Sequence, residues 1–251
     1  SNVKDTATMF KGCTSLSSIP LSLLTNATKV TTVAGMFEGC TSLEALDLSR
    51  RATSSLADMR GMLKGCTSLT AVDFQGFMTS STTDMSELFS GCGKLRTLYI
   101  SSDYFNTSSV TNMSSMFFGC KALDTNTFNH VLGSFNTAQV KTMYRMFYGC
   151  TGVSELNLSS FDVSAVTNMG GMFQGCSRDL TTIYVNENWN PAKVSTSGSM
   201  FADCSTKLRG GAGSTWSSSS PTDKTYARID GGTEAKGYLS VKGWNLSGSN
   251  T

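Results

Sequence analysis

The sequence lacks most of the features that mark an enzyme, a nucleic-acid-binding protein or a membrane protein. Its 251 residues include one histidine, His130, and only 15% are charged, with a formal net charge of +2. It has no lysine- and arginine-rich run of the kind that binds nucleic acid, and no apolar stretch close to the roughly 18 residues that cross a bilayer. In a chain rich in serine, a lone histidine carries no signal of a catalytic triad. We therefore expect no enzyme activity, no nucleic-acid partner and no membrane-spanning segment.

The cysteines are too far apart for the usual metal sites, and they recur with a near-constant period. Zinc sites use cysteines that are about two to four residues apart, whereas no two cysteines here are closer than 26 residues. A period of this size indicates a solenoid, in which stacked repeats bury a shared core. We expect no metal and no cofactor. The eight cysteines are Cys13, Cys40, Cys66, Cys92, Cys120, Cys150, Cys176 and Cys204.

The position of the cysteine within the repeat predicts its environment. It always follows an apolar pair, and in seven of the eight repeats a glycine stands directly before it. Because a free cysteine behaves as a small buried hydrophobe, we expect reduced thiols that are stacked in one buried row. Disulfides between neighbouring repeats are the alternative, since an even number of cysteines in an exported protein can also form a disulfide framework.

Each repeat contains two apolar patterns. Before the cysteine, apolar residues recur at steps of three, three and one, as in residues 30–37, and this spacing predicts a short helix. After the cysteine, the pattern L-x-x-L-x-L, as in residues 43–48, alternates like a half-buried strand and is typical of leucine-rich repeats. We therefore predict an α/β leucine-rich-repeat solenoid over residues 1–208, with one short parallel strand and one short helix per repeat.

Two segments depart from the repeat. Residues 124–133 break the strand pattern within the longest step between cysteines, and we expect a bulge or a longer loop there. Residues 209–251 follow the last repeat. Since an open stack exposes its core at the end, we predict that they form a C-terminal cap and tail, with Trp216, Tyr226 and Tyr238 as its apolar mass.

Strand residues that point out of the predicted sheet form the candidate ligand-binding face. Two of them are aromatic, and tyrosine supplies contact area at low entropic cost, so we expect the tyrosines to be the anchors and the polar residues to set polarity and orientation. Tyrosine is also common on ordinary solvent-facing strands, and loops or the opposite side of the solenoid could bind instead. The candidate residues are Tyr99, Tyr184, Asp47, Asp73, Glu155 and Asn157.

Two segments resemble a known family. Residues 156–176 (LNLSSFDVSAVTNMGGMFQGC) and residues 215–239, which run from TWSS through TDKTYARIDGGT to GYL, are similar to BspA-like leucine-rich-repeat surface proteins. The resemblance extends over residues 3–239. That family is chiefly bacterial, exported or surface-anchored, and associated with adhesion to host matrix proteins or to other cells.

The resemblance implies a non-enzymatic recognition or adhesion scaffold at the cell surface. We expect a monomer that binds an extracellular matrix protein or a host or bacterial surface protein. The alternative is a carbohydrate-binding module that uses Tyr99 and Tyr184. The sequence begins inside a repeat, because residues 3–13 match only the second half of the pattern, so we expect the export signal and the anchor to lie upstream.

Overall fold

The computed structural model describes residues 2–19, 27–49, 52–176 and 178–243, and these residues form a solenoid of parallel repeats. In the described part of each repeat, one residue forms a parallel β-bridge with its equivalent in the next repeat, 26 to 30 residues further along the chain. This row confirms the stacking that the cysteine period predicts. The bridged residues are Asp5, Thr32, Asp58, Asp84, Asn112, Thr142, Asn168 and Thr196.

Short strands confirm the second apolar pattern and with it the leucine-rich-repeat class. They form two parallel three-stranded sheets, and the apolar residue in the middle of a strand is buried, as Val72 is. The first sheet contains β1 (Ala45–Asp47), β2 (Ala71–Asp73) and β3 (Thr97–Tyr99), the second contains β4 (Glu155–Leu158), β5 (Thr182–Val185) and β6 (Leu239–Val241), and a 3₁₀-helix spans Lys224–Tyr226.

The segment before each cysteine is a stack of turns, so the prediction of one short helix per repeat is wrong. In residues 32–40, the N–H groups of Phe37 and Gly39 donate to carbonyl oxygens of the next repeat at 2.9 and 2.7 Å. The N–H group of Glu38, which lies between them, closes a tight turn on the Gly35 carbonyl at 3.0 Å. Gly35 and Gly39 have φ angles of +57° and +74°, which an α-helix does not contain. The turns keep the apolar spacing of a helix because their inward side chains recur at similar steps.

The longest step between cysteines forms the α-helix α1 (Thr125–Gly133) and not the predicted bulge or longer loop. The side chain of Asp124 caps the helix by accepting the Thr127 N–H at 2.8 Å, and this hydrogen bond holds the pKa of Asp124 below its usual value. α1 packs between β3 and β4, where Oδ1 of Asn129 accepts the Asn157 N–H of β4 at 2.8 Å. The helix thus replaces a strand and separates the two sheets. No described helix is long and apolar enough to cross a membrane.

The cysteines form the predicted row of buried thiols, with one exception. All eight are free; seven are buried, and Cys13 in the first described repeat is exposed. Each buried thiol donates to a backbone carbonyl of the preceding repeat, as Cys120 does to Phe89, with Sγ–O distances of 3.1–3.2 Å. Burial raises the pKa of Cys66 and Cys176 to about 12. The row is therefore held by S–H donors and not by disulfides.

Native and unfolded protein are expected to differ sharply in thiol reactivity. Alkylating reagents attack the thiolate, so iodoacetamide at about pH 8 will modify Cys13 alone in the native protein and all eight cysteines in denatured, unreduced protein. Mass spectrometry of the intact chain measures both numbers. Fewer than eight modified cysteines in the denatured, unreduced chain would show that disulfides form between repeats.

The segment after residue 208 packs on the last repeat and extends the second sheet. β6 pairs in parallel with β5. Tyr238 is fully buried, with its ring centroid 5.1 Å from that of Phe201, and the indole N–H of Trp216 donates to the Phe201 carbonyl at 2.8 Å. These contacts suit a cap, but the cap and the domain boundary at residue 208 stay predictions. Residues 244–251 of the predicted tail lie outside the described residues.

Candidate binding surface

The six residues predicted to bind a ligand lie on two separate faces and not on one continuous stripe. α1 packs against both β3 and β4 and so stands between the two groups. Within each group the residues lie side by side on neighbouring strands. The first strand face consists of Asp47, Asp73 and Tyr99, which are in register on β1, β2 and β3; the second strand face consists of Glu155, Asn157 and Tyr184 on β4 and β5.

The first strand face presents the more accessible tyrosine. Tyr99 is 52% exposed, the largest exposed fraction among the large apolar and aromatic side chains that the structure describes. Asp47 and Asp73 stand beside it on strands that are about 4.8 Å apart. An oxygen of each aspartate accepts an N–H two residues further on, from Ser49 and from Gln75, both at 2.8 Å. The face therefore combines an exposed ring with two carboxylates whose orientation is fixed by the following turns.

The second strand face is more closely packed. Tyr184 is half-buried, and burial together with the nearby charge of Glu155 raises the pKa of its hydroxyl. Oδ1 of Asn157 accepts the Ser159 N–H at 3.1 Å, so this amide oxygen is engaged in the turn after β4. Although Tyr99 and Tyr184 occupy equivalent strand positions, the second face exposes less aromatic surface.

A groove of about 470 Å³, which the repeat pattern does not predict, opens beside the first strand face. It spans three repeats at the point where the chain leaves β2 and β3, and Tyr104, which is 47% exposed, forms part of its wall. One signal in the sequence points to it: Met78 is the one methionine outside the recurring core positions. The lining residues are Ala52, Gln75, Gly76, Met78, Ser101 and Tyr104.

The chemistry of this surface suits binding. It offers phenol rings, two oriented carboxylates and an apolar groove, and each of these groups can contact a partner without a chemical step. In the described ranges, no three histidine, cysteine, aspartate or glutamate side chains come together as the ligands of a metal ion would. His130 lies exposed in the last turn of α1.

Comparison with known proteins gives one family. A family described as "Mycoplasma protein of unknown function, DUF285" matches residues 1–99, 69–182 and 100–216. No curated protein matches the chain. The solved structures that are distantly similar include a leucine-rich repeat protein from Bacteroides ovatus, with 19% identity and a TM-score of 0.36, and a leucine rich cell surface protein from Faecalibacterium prausnitzii, with 15% identity and a TM-score of 0.21.

The two solved structures differ in how much of each chain the similarity includes. For the Bacteroides ovatus protein, it covers 81% of this chain and 56% of that one. For the Faecalibacterium prausnitzii protein, it covers 68% of this chain and 73% of that one. The chain thus spans a little over half of the Bacteroides ovatus protein.

Proposed function

We propose that the chain, which belongs to the family described as "Mycoplasma protein of unknown function, DUF285", is a non-catalytic recognition scaffold that acts at the cell surface and binds an extracellular or host protein. The first strand face is the observation that supports this proposal. There an exposed Tyr99 lies in register with Asp73 and Asp47, and an apolar groove opens beside them.

A protein partner suits both the chemistry and the size of this surface. Tyrosine is enriched among the few interface residues that supply most of the binding energy. A groove of about 470 Å³ falls within the range of pockets that hold small ligands, so it can take an apolar side chain of a partner. Asp47 and Asp73 would face lysine or arginine on that partner, since complementary charge speeds association and fixes orientation.

The cell-surface location rests on the resemblance of residues 156–176 and 215–239 to BspA-like surface proteins. An antibody against the folded chain is expected to label intact cells of the source organism as strongly as permeabilised cells. Labelling that requires permeabilisation would place the chain inside the cell and would contradict this part of the proposal.

Replacing Tyr99 by alanine tests the first strand face. A partner is first identified on an array that carries both matrix proteins and glycans, and its affinity for purified variants is then measured. Because Tyr99 is the most exposed of the large apolar and aromatic side chains described, Tyr99→Ala is expected to weaken binding at least tenfold, or about 1.4 kcal/mol. The melting temperature should stay that of the parent, since the ring is not part of the core.

Tyr184→Ala is the matched control because it removes the same ring from the equivalent strand position on the second face. It is expected to change affinity by less than about twofold and to lower the melting temperature, because Tyr184 is half-buried. If Tyr99→Ala binds as tightly as the parent, the partner binds elsewhere. If glycans bind and both variants lose them, the carbohydrate-binding alternative is correct.

A further inference from the structure

Three aromatic side chains and one arginine gather on the turns before Cys120 and Cys150, away from the strands. We call this group, Phe118, Tyr144, Arg145 and Tyr148, the arginine cluster. The Gly119 N–H donates to the Tyr148 carbonyl at 2.7 Å and so sets the register of the two turns. The rings of Phe118 and Tyr148 consequently stack, with centroids 4.6 Å apart and an angle of 8° between planes.

The side chain of Arg145 is held in place by aromatic rings. Its guanidinium carbon lies 5.0 Å from the ring centroid of Tyr144 and 5.3 Å from that of Tyr148, which is cation–π geometry. In the next repeat, the positions equivalent to Tyr144 and Arg145 are both glycine, Gly170 and Gly171. A Cβ at Gly170 would lie 3.3 Å from the Tyr144 ring, and one at Gly171 would lie 3.1 Å from Cγ of Arg145. The two side chains therefore lie close against these glycines, where an added Cβ would make a tight contact with each of them.

Within the described ranges, the side chain of Arg145 has no hydrogen-bond acceptor, although its backbone N–H donates to the Gly170 carbonyl at 2.9 Å. Its Nε is buried without an acceptor, and no residue in the described ranges forms an ion pair with its guanidinium. Lysines on turns of other repeats do have such partners: Lys11 pairs with Glu38, and Lys64 pairs with Glu87. An arginine fixed by rings but without an acid is suited to an anion from outside the chain.

The residues at the equivalent turn positions of the neighbouring repeats carry no charge. At these turn positions a ligand anion would thus meet one cation and no carboxylate. One positive charge matches one negative charge, which favours a carboxylate over a phosphate, since a phosphate monoester carries nearly two. The neighbouring positions are occupied by Ser114, Ser115, Gly170, Gly171 and Gln174.

We infer that the arginine cluster binds an acidic saccharide, with the Arg145 guanidinium on the sugar carboxylate and the rings against the sugar. The planar guanidinium fork matches the geometry of a carboxylate. Tyr144 is 36% exposed and offers a ring surface beside that fork for the apolar edge of the sugar, while tyrosine hydroxyls can donate to and accept from its hydroxyl groups. This site does not depend on the first strand face or on the protein partner proposed above.

The chain itself supplies a substitution that is compatible with the fold. Arg145 has a φ of +53°, and three equivalent positions in other repeats, Gly35, Gly61 and Gly171, hold glycine with φ between +57° and +61°. Arg145→Gly therefore removes the guanidinium and also relieves a left-handed conformation. Its melting temperature is expected to stay within about 4 °C of the parent value.

Binding of a hyaluronan octasaccharide, whose charge comes from glucuronate, tests the inference by calorimetry on the full chain. The parent should bind it, and Arg145→Gly should weaken binding at least tenfold. Arg145→Lys should also weaken it, because lysine keeps the charge but lacks the fork. Arg60→Ala is the control. Arg60 occupies the position equivalent to Tyr144 in the repeat that ends at Cys66, so the variant removes one cation outside the arginine cluster. Affinity should change by less than about twofold.

Three results would overturn the inference. The first is no binding of the octasaccharide by the parent, and the second is equal binding by Arg145→Gly. The third is tighter binding of neutral maltooctaose or of an octaglutamate peptide, since maltooctaose lacks the carboxylate and the peptide lacks the sugar. Each result leaves the test of Tyr99 unaffected, because Tyr99 lies on β3 and the arginine cluster lies on the turns before the cysteines.

Discussion

Raising the pH above about 9 is expected to unfold the protein, because buried thiols keep their protons in the folded state and lose them in the unfolded chain. An unfolded cysteine has a pKa of about 8.5, whereas burial raises the pKa of the core cysteines far above that. Their contribution to stability is thus complete below about pH 8.5 and is lost as the pH rises towards the folded pKa. The thiols with the largest shifts are Cys66, Cys92, Cys120, Cys150, Cys176 and Cys204.

The expected slope is large because the thiols act together. Each thiol lowers the free energy of unfolding by about 1.4 kcal/mol per pH unit above its unfolded pKa, so six thiols lower it by roughly 8 kcal/mol per unit. A total stability of about 5–15 kcal/mol would therefore be lost within about two pH units. Urea titrations followed by far-UV circular dichroism at several pH values between about 7.5 and 10 measure this slope.

Two single substitutions separate the thiol effect from the general effect of alkali. Cys120→Ala removes one buried thiol and should reduce the slope by about one sixth, although it also lowers stability at neutral pH by leaving a small cavity. Cys13→Ala removes the exposed thiol and should leave the slope unchanged. A free energy of unfolding that stays constant up to about pH 10 would contradict the buried row of protonated thiols.

Asp230→Ala is expected to loosen the whole segment after residue 208. The buried carboxylate accepts the N–H groups of Ala212, Ser214, Gly232 and Gly237 and the Ser214 hydroxyl, at 2.7–3.3 Å. Burial alone raises the pKa of Asp230, but these hydrogen bonds outweigh it and hold the pKa below its usual value. Since each buried donor left without an acceptor costs about 1–3 kcal/mol, we expect a loss of at least about 3 kcal/mol.

Hydrogen exchange shows where that loss falls. Faster exchange is expected in residues 209–243 and then in the last repeat, where Phe201 packs against Tyr238. Asp179→Ala, which removes an exposed acid that pairs with Lys207, is the control and should change stability by less than about 1 kcal/mol. If Asp230→Ala exchanges like the parent beyond residue 208, the segment does not cover the end of the solenoid.

Most of the stacking could be predicted from the sequence because it depends on recurring side chains. A cysteine every 26 to 30 residues and the pattern L-x-x-L-x-L fix which residues face the core. The backbone conformation between them could not be predicted in this way. Turns with left-handed residues at Gly35 and Gly39 bury the same side chains as a helix would, and the apolar spacing is therefore common to both.

In the irregular repeat the helix could be predicted from the sequence, whereas the exposure and clustering of surface residues could not. The buried face of α1, Phe128, Val131 and Leu132, has helical spacing behind the cap Asp124, so this signal was present in the sequence. The different exposure of Tyr99 and Tyr184 was not, since both stand at the same repeat position. The arginine cluster could not be predicted either, because it combines variable positions of repeats that are in contact only after stacking.

The alternating hydrogen bonds of the turns give the solenoid a particular response to tension. Every second backbone N–H of residues 33–39 donates a hydrogen bond to the next repeat, which ends at Cys66. In the opposite direction, the Cys66 thiol donates to the Phe37 carbonyl of the repeat that ends at Cys40. A force that pulls the two ends of the chain apart acts on all the seams between repeats in series, and each seam that opens releases about 26 residues, or roughly 90 Å of extended chain. A solenoid built in this way would lengthen in steps under load while the seams behind the opening stay closed.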